Sequence, residues 1–138
     1  MNKKKNIAIL SPIDLNIFKK HINEKISKNI IESGGGTVNF ICDHLINKKH
    51  KLTIITLTSK LKKIKIYNFK NFKIYIVPKN KNFLEKILSY LFYYNFFEIY
   101  RIVKILKNEK PDIINSHFWY EFSIAAKLSG FPHLITGH

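Results

Sequence analysis

Two hydrophobic periods take turns along this chain, and their alternation lays out a fold. Ile7, Ala8, Ile9 and Leu10 form an unbroken apolar run closed by Ser11-Pro12, the pattern of a strand buried on both faces. Similar runs predict parallel strands near residues 6–10, 52–57, 73–77, 112–116 and 133–136. The alternating run Ile64 to Tyr67 is a candidate hairpin partner for the third of these. Between the strands the spacing becomes helical. Val38, Ile41, Cys42 and Leu45 recur at i, i+3, i+4 and i+7 behind Gly34-Gly35-Gly36. Thr37 is a capping candidate there, and Lys48-Lys49 suit the C-terminal dipole.

Residues 82–108 lack Gly and Pro and predict one long helix ended by Pro111. Leu84, Leu88, Leu91, Asn95, Ile99, Ile102 and Leu106 lie on one of its faces. Tyr90, Tyr93, Tyr94 and Phe97 widen the apolar perimeter beyond what one sheet face covers, so part of that surface is expected to stay exposed. Residues 121–129 predict a short helix with Gly130 at its C-terminal turn. The polar stretch Asp14 to Ser33, with Ile17, Ile22, Ile26 and Ile30 loosely spaced, reads as a loop or a short helix. Strands alternating with helices give an α/β class: a Rossmann-like, doubly wound parallel sheet. With 138 residues, 46% of them hydrophobic, the chain has room for one cored domain, 1–138, and not two.

Charge divides the chain. Residues 1–81 hold 18 Lys against four acids, and the remainder is nearly balanced, out of a net +15. Such a basic half points to an anionic partner, whether nucleic acid, a phosphate-bearing substrate or an acidic membrane face. Arg101 is the one Arg among 24 cations, and Arg is the residue best suited to bidentate base or phosphate readout. No nucleic-acid motif accompanies the charge, so no nucleic-acid partner is expected. Lys, Asn and Ile make up 61 of the 138 residues, and an A/T-rich coding background accounts for the lysines equally well.

Cys42 is alone, which gives no disulfide framework and points to a reducing compartment. The run Ile7 to Leu10 is too short for a signal-peptide core. The longest uncharged apolar-rich run, Ile87 to Phe97, has 11 residues against the roughly 20 of a membrane span. The expected location is the cytoplasm, with peripheral contact at the inner face of the membrane as a further option.

Ligands of open parallel sheets bind at the C-terminal ends of the strands. Four features fall there: the Gly34, Gly35, Gly36 loop, His117 after the fourth strand, Glu121 just beyond it, and His138 after the fifth. A glycine loop at a helix N-terminus offers backbone N–H groups to an anion. It is not the dinucleotide fingerprint: Asn39 stands where a third glycine belongs, no acid follows the second strand, and the loop lies far downstream of the first. The plain alternative is a flexible connector. His117 and His138 can hydrogen-bond sugar hydroxyls or phosphates, or move protons near neutral pH, although a strand-end His is as often structural. Six His and one Cys show no metal-ligand spacing, and no phosphate-binding P-loop, nucleophile elbow or triad signature is present.

Three stretches together resemble the N-terminal domain of family 4 glycosyltransferases, nucleotide-sugar enzymes of the GT-B fold. Gly34 to Ile41, continued by Leu45 to Thr56, looks like that family's glycine loop, helix, turn and second strand. Lys110-Pro111-Asp112-Ile113-Ile114-Asn115-Ser116-His117-Phe118-Trp119 is similar to its Pro-Asp strand end with paired His, Asn115 standing at the first His. Gly130-Phe131-Pro132-His133-Leu134-Ile135-Thr136-Gly137-His138 is similar to its Gly-x-Pro to Thr-x-His stretch.

The resemblance implies the truncated N-terminal half of a GT-B fold. This half would bind a glycan or lipid-linked acceptor and face a donor-binding C-terminal domain, or second chain, that the sequence lacks. His138 would be catalytic; Gly34, Gly35, Gly36, His117 and Glu121 would contact substrate. The family generally retains anomeric configuration and uses a nucleotide-sugar donor with no metal or other cofactor, and the 138 residues alone are expected to be inactive. The alternative is a non-enzymatic α/β module that docks on a membrane or on a separate chain.

Overall fold

The structure, a computed structural model, describes residues 4–21, 35–79, 83–91, 95–118 and 120–137. Six strands form one sheet: β1 (Asn6–Leu10), β2 (Lys51–Thr58), β3 (Lys65–Asn68), β4 (Phe72–Pro78), β5 (Ile113–His117) and β6 (His133–Thr136). Their order is β3-β4-β2-β1-β5-β6. Five strands are parallel and β3 alone is antiparallel, hairpinned onto β4 with Lys65 opposite Ile76. All five expected parallel strands are present within a residue or so at each end, and the candidate hairpin partner is the sixth.

The helices α1 (Gly36–Asn47), α2 (Phe83–Leu91), α3 (Phe96–Glu109) and α4 (Glu121–Ser129) join a 3-10 helix over Leu15–His21. Because β1 sits mid-sheet and the chain winds outward from it in both directions, the crossovers cover opposite faces. One face carries Ile9, Leu52, Ile54, Phe72, Ile74 and Ile76 beneath Val38, Cys42 and Ile46 of α1 and Leu15 and Phe18 of the 3-10 helix. The other carries Ala8, Leu10, Ile55, Leu57, Val77 and Ile114 beneath Ile102, Ile105 and Leu106 of α3 and Phe122, Ala125 and Ala126 of α4. Adjacent residues of one strand thus feed different cores, which is why β1, β2 and β4 lack the polar alternation of a one-sided sheet.

Two expectations about the helices change and a third is refined. The single helix over 82–108 is interrupted: α2 ends at Leu91 and α3 begins after Asn95, whose φ of −27° and ψ of 36° are not helical. Asn95 is the N-cap, and its carbonyl accepts the Ile99 N–H at 3.0 Å. Asn is a weak helix-interior residue because its short amide competes for the backbone. The supposed common face splits accordingly, with Ile102 and Leu106 in the core and Leu84 and Leu88 exposed. Second, Thr37 does not cap α1; the N-cap is Gly35. Third, the stretch read as a loop or a short helix is a short 3-10 helix over Leu15–His21 in its described part, and beyond that reading it contributes Leu15 and Phe18 to the core. Of the four rings expected at the surface, Tyr90 is 89% exposed and Phe97 half-buried, while Tyr93 and Tyr94 lie outside the described residues.

At the N-terminal edge of the sheet, side chains clamp the end of α3. Asn6 Nδ2 donates to the carbonyls of Glu109 (2.8 Å) and Lys110 (3.0 Å), and Asp112 accepts the Asn6 N–H. Glu109 Oε1 meets Lys73 Nζ at 2.7 Å and the Tyr75 hydroxyl at 2.6 Å. Burial alone would raise the Glu109 carboxyl. The hydrogen bonds from Lys73 and Tyr75 and the charges of Lys73 and Lys51 outweigh it and hold the group below the ordinary carboxylate value. Tyr75 is pushed upward, by burial first and then by its bond to that carboxylate and the carboxylate's charge.

Candidate functional site

The direction of strand addition reverses between β1 and β5, and a crevice opens outside the carboxyl ends of the strands at such a point. Leu10, the last residue of β1, pairs with Ser116. His117 comes next on β5 and pairs with Thr136 of β6. It is 2% exposed. Since Ile114 faces the α3–α4 core, strand alternation places Asn115 and His117 on the α1 side. Asn115 Oδ1 accepts from Thr136 Oγ1 at 3.3 Å, bracing β5 against β6.

Immediately past His117 the backbone of Phe118 takes a φ of 72°. A bulky residue adopts that left-handed conformation only when its surroundings impose it. Here the Phe118 N–H donates to the Thr136 carbonyl, and the Ser123 hydroxyl donates to the Phe118 carbonyl. The turn so fixed carries the chain from β5 into α4.

On the α1 side a glycine turn closes on the end of β1. Gly35 has a φ of +74°, and a Cβ there would lie 2.1 Å from the Pro12 carbonyl oxygen. Glycine is therefore required by both conformation and space. The Gly35 carbonyl accepts the Asn39 N–H at 2.9 Å, while Gly36, the first residue of α1, has open space around its α-carbon. The N-cap, Gly35, has no side chain with which to cap this end, and the first-turn N–H groups and the positive end of the helix dipole lie at the carboxyl edge of the sheet.

Two cavities are lined by residues of these turns and their neighbours. One, of about 300 Å³, is lined by Ile17, Gly36, Asn39, Phe40 and Asp43. The buried Oδ1 of Asn39 has no hydrogen-bond partner among the described residues. The other, of about 340 Å³, is lined by Pro12, Leu57, Lys79, Tyr120, Glu121 and the two phenylalanines Phe118 and Phe122. Glu121 there accepts a hydrogen bond from Asn95 Nδ2, joining the first turn of α4 to the cap of α3. Gly35, Gly36, His117 and Glu121 thus share one edge of the sheet, but Gly36 and Glu121 open into different cavities. Gly34 and His138 lie outside the described residues. Among the described residues no three His, Cys, Asp or Glu are grouped as metal ligands.

Pro12, Lys79, Asn39 and Tyr120 escaped the reading of the sequence as site residues. For Pro12 and Lys79 a signal existed, since each falls within two residues of the end of a buried strand. Asn39 was noticed only as the absence of a third glycine.

The sequence pattern of the family described as Glycosyltransferase Family 4 matches residues 35–138. The chain belongs to glycosyltransferase family 4. The match begins at Gly35, the residue that meets the Pro12 carbonyl, and takes in His117, Glu121 and β6. The resemblance carried by the glycine loop, the Pro-Asp strand end and the last strand is therefore real. The doubly wound sheet is the architecture expected of such a family 4 domain. No curated protein matches the chain.

Proposed function

We propose that this family 4 domain binds the acceptor in glycosyl transfer from a nucleotide sugar, and that transfer needs a donor-binding half supplied by a further domain or chain. The observation that carries the reading is the gathering of the α1 N-terminus, the His117 strand end and the Glu121 cleft at the topological switch. In the reaction the acceptor hydroxyl oxygen bonds to the anomeric carbon as its O–H bond breaks, the bond from that carbon to the diphosphate breaks, and nucleoside diphosphate leaves, its phosphate oxygen taking up the hydroxyl proton. Glu121, fixed by Asn95, accepts hydroxyl hydrogens of the acceptor, and the Tyr120 ring gives the sugar an apolar face. His117 lines the same edge, and His138, two residues after β6, is the group assigned to the reacting sugar. The first-turn amides of α1 approach the transferred sugar or its phosphate. No metal is required.

Lys79 is the cation among the described residues lining the Glu121 cleft. One flexible ammonium is little with which to orient and neutralise a departing diphosphate, which supports assigning that task to a second half. The test is release of nucleotide from a panel of nucleotide sugars by the purified 138-residue chain, beside acceptor binding on a glycan and glycolipid panel. The expected result is acceptor binding weakened by Glu121→Ala and no sustained release. Acceptor-dependent turnover by the chain alone, abolished by His138→Ala, would overturn the half-site reading.

A further inference from the structure

Amphipathic helices of a folded domain normally turn their apolar side inward, and α2 does the opposite. Its carboxylate, Glu85, reaches inward to Arg101 Nη2 of α3 at 2.6 Å, and Arg101 Nη1 donates to the Pro78 carbonyl at 3.1 Å. The apolar residues Phe83, Leu84, Ile87, Leu88 and Tyr90 are all exposed, Phe83 at 77%. At 100° per residue these five span less than half the helix circumference, and they form one continuous stripe. No described α2 residue joins either hydrophobic core. The helix is held to the fold by its ion pair and offers its apolar side to something else.

Charge says what that something is. From His44 to Leu84 the sequence contains 11 Lys and no acid. Lys60, Lys62 and Lys63 lie in the turn after β2, and Lys79 follows β4; all four are exposed. The Lys79 N–H donates to the Thr58 carbonyl at 2.7 Å, so both turns sit at the end of the sheet from which α2 departs. Lysines are compact, hydrated charges, suited to a diffuse anionic layer more than to bidentate recognition of one group. No helix among the described residues is long and apolar enough to cross a membrane. A short apolar stripe flanked by lysines is what a helix lying in a lipid interface presents. A symmetric second copy would bring two such lysine groups together.

We infer that α2 and the adjoining lysines form a docking surface for an anionic phospholipid membrane, the helix lying in the headgroup layer with Phe83, Leu84, Ile87 and Leu88 inserted. Lys79 belongs to both this surface and the Glu121 cleft, so docking sets that cleft at headgroup level, in reach of a lipid-linked acceptor. The acceptor consequence rests on the function proposed above; the docking does not.

Flotation of the full 138-residue chain with vesicles of phosphatidylcholine mixed with phosphatidylglycerol, against phosphatidylcholine alone, tests the docking without any sugar. Binding is expected to the mixed vesicles only. It should weaken at least about tenfold in Ile87→Glu/Tyr90→Glu and in Lys62→Glu/Lys63→Glu, with melting temperatures unchanged. Should the helix double variant melt early, Ile87→Ser alone is expected to lower binding about threefold. Absence of binding by the parent chain overturns the inference. Binding indifferent to the α2 substitutions also overturns it, leaving lysines on headgroups alone. A parent dimer that the α2 variants dissociate assigns the stripe to a second copy and overturns it as well.

Discussion

Replacing Gly35 by Ala should damage the protein out of proportion to one methyl group. Two costs add. A φ of +74° in the left-handed region costs a non-glycine residue about 1–2 kcal/mol. The new Cβ would also stand 2.1 Å from the Pro12 carbonyl oxygen, a distance real Cβ atoms do not show, and the opposing atom is backbone and not a flexible side chain. Relief requires the turn or the Pro12 peptide to retreat by roughly an ångström, comparable to overpacking a core at about 1–3 kcal/mol. The total, about 2–5 kcal/mol, is large against the 5–15 kcal/mol that holds a typical domain together. The variant should fold and melt on the order of 10 °C lower. Gly36→Ala is the control one residue away. It starts a helix, nothing lies within 4 Å of its added carbon, and it should be neutral or stabilise by up to about 1 kcal/mol. Circular dichroism melts and urea titrations of both variants read the difference. If Gly35→Ala melts within about 2 °C of the parent, or if both variants lose equally, the close approach of the glycine turn to β1 is wrong.

Two further outcomes follow from the described contacts. Glu109→Ala should cost about 1–3 kcal/mol at neutral pH, because it removes a charged acceptor from Lys73 and Tyr75. The Glu109 carboxyl is held below its unfolded value, so its stabilisation is full above the unfolded pKa and is lost as pH falls through the folded one. Urea midpoints of parent and variant should converge on acidification, and a gap that persists in acid would count against the ion pair. Cys42 is fully buried, and burial, with a smaller contribution from neighbouring Asp43, pushes its thiol up to about 12. Thiol reagents at pH about 8, where an ordinary cysteine is substantially ionised, should label it only on unfolding. Labelling of the native chain at the rate of a free thiol would contradict its placement under α1.

What the residue pattern revealed and what it hid have physical reasons. Strands β1, β2 and β4 were legible because both of their faces feed a core, giving apolar-rich runs stopped near Pro12 and at Pro78, whereas β5 and the exposed edge strand β6 were legible from short apolar pairs behind Pro111 and Pro132. Gly130 marked the end of α4 because the chain there needs a φ of 81°. The break between α2 and α3 was not legible. Asn95 falls on the same helical face as Leu91 and Ile99, and no Gly or Pro announces it. What separates the segments is tertiary: α3 is pulled into a core that no described α2 side chain enters. Leu15 and Phe18 were hidden for a related reason, being spaced for a 3-10 turn inside a stretch dominated by polar residues. At the site, strand-end positions led to His117 and Glu121. That Gly36 and Glu121 line different cavities depends on how the β1 exit packs, which no local pattern encodes.

The antiparallel strand β3 gives some of the lysines a purpose unrelated to any ligand. An edge strand presents unpaired backbone groups to whatever strand drifts past, and a Lys-rich chain this high in Ile and Phe has many segments able to answer. β3 is only four residues long, its Lys65 rests at 4.8 Å over the Tyr67 ring, and Lys62, Lys63 and Lys70 flank it. Shortness and like charge are the two devices that stop edge-to-edge growth. A second molecule trying to extend the sheet there would align its own lysines against these. The hairpin therefore terminates the sheet on that side and protects the chain from aggregating through it.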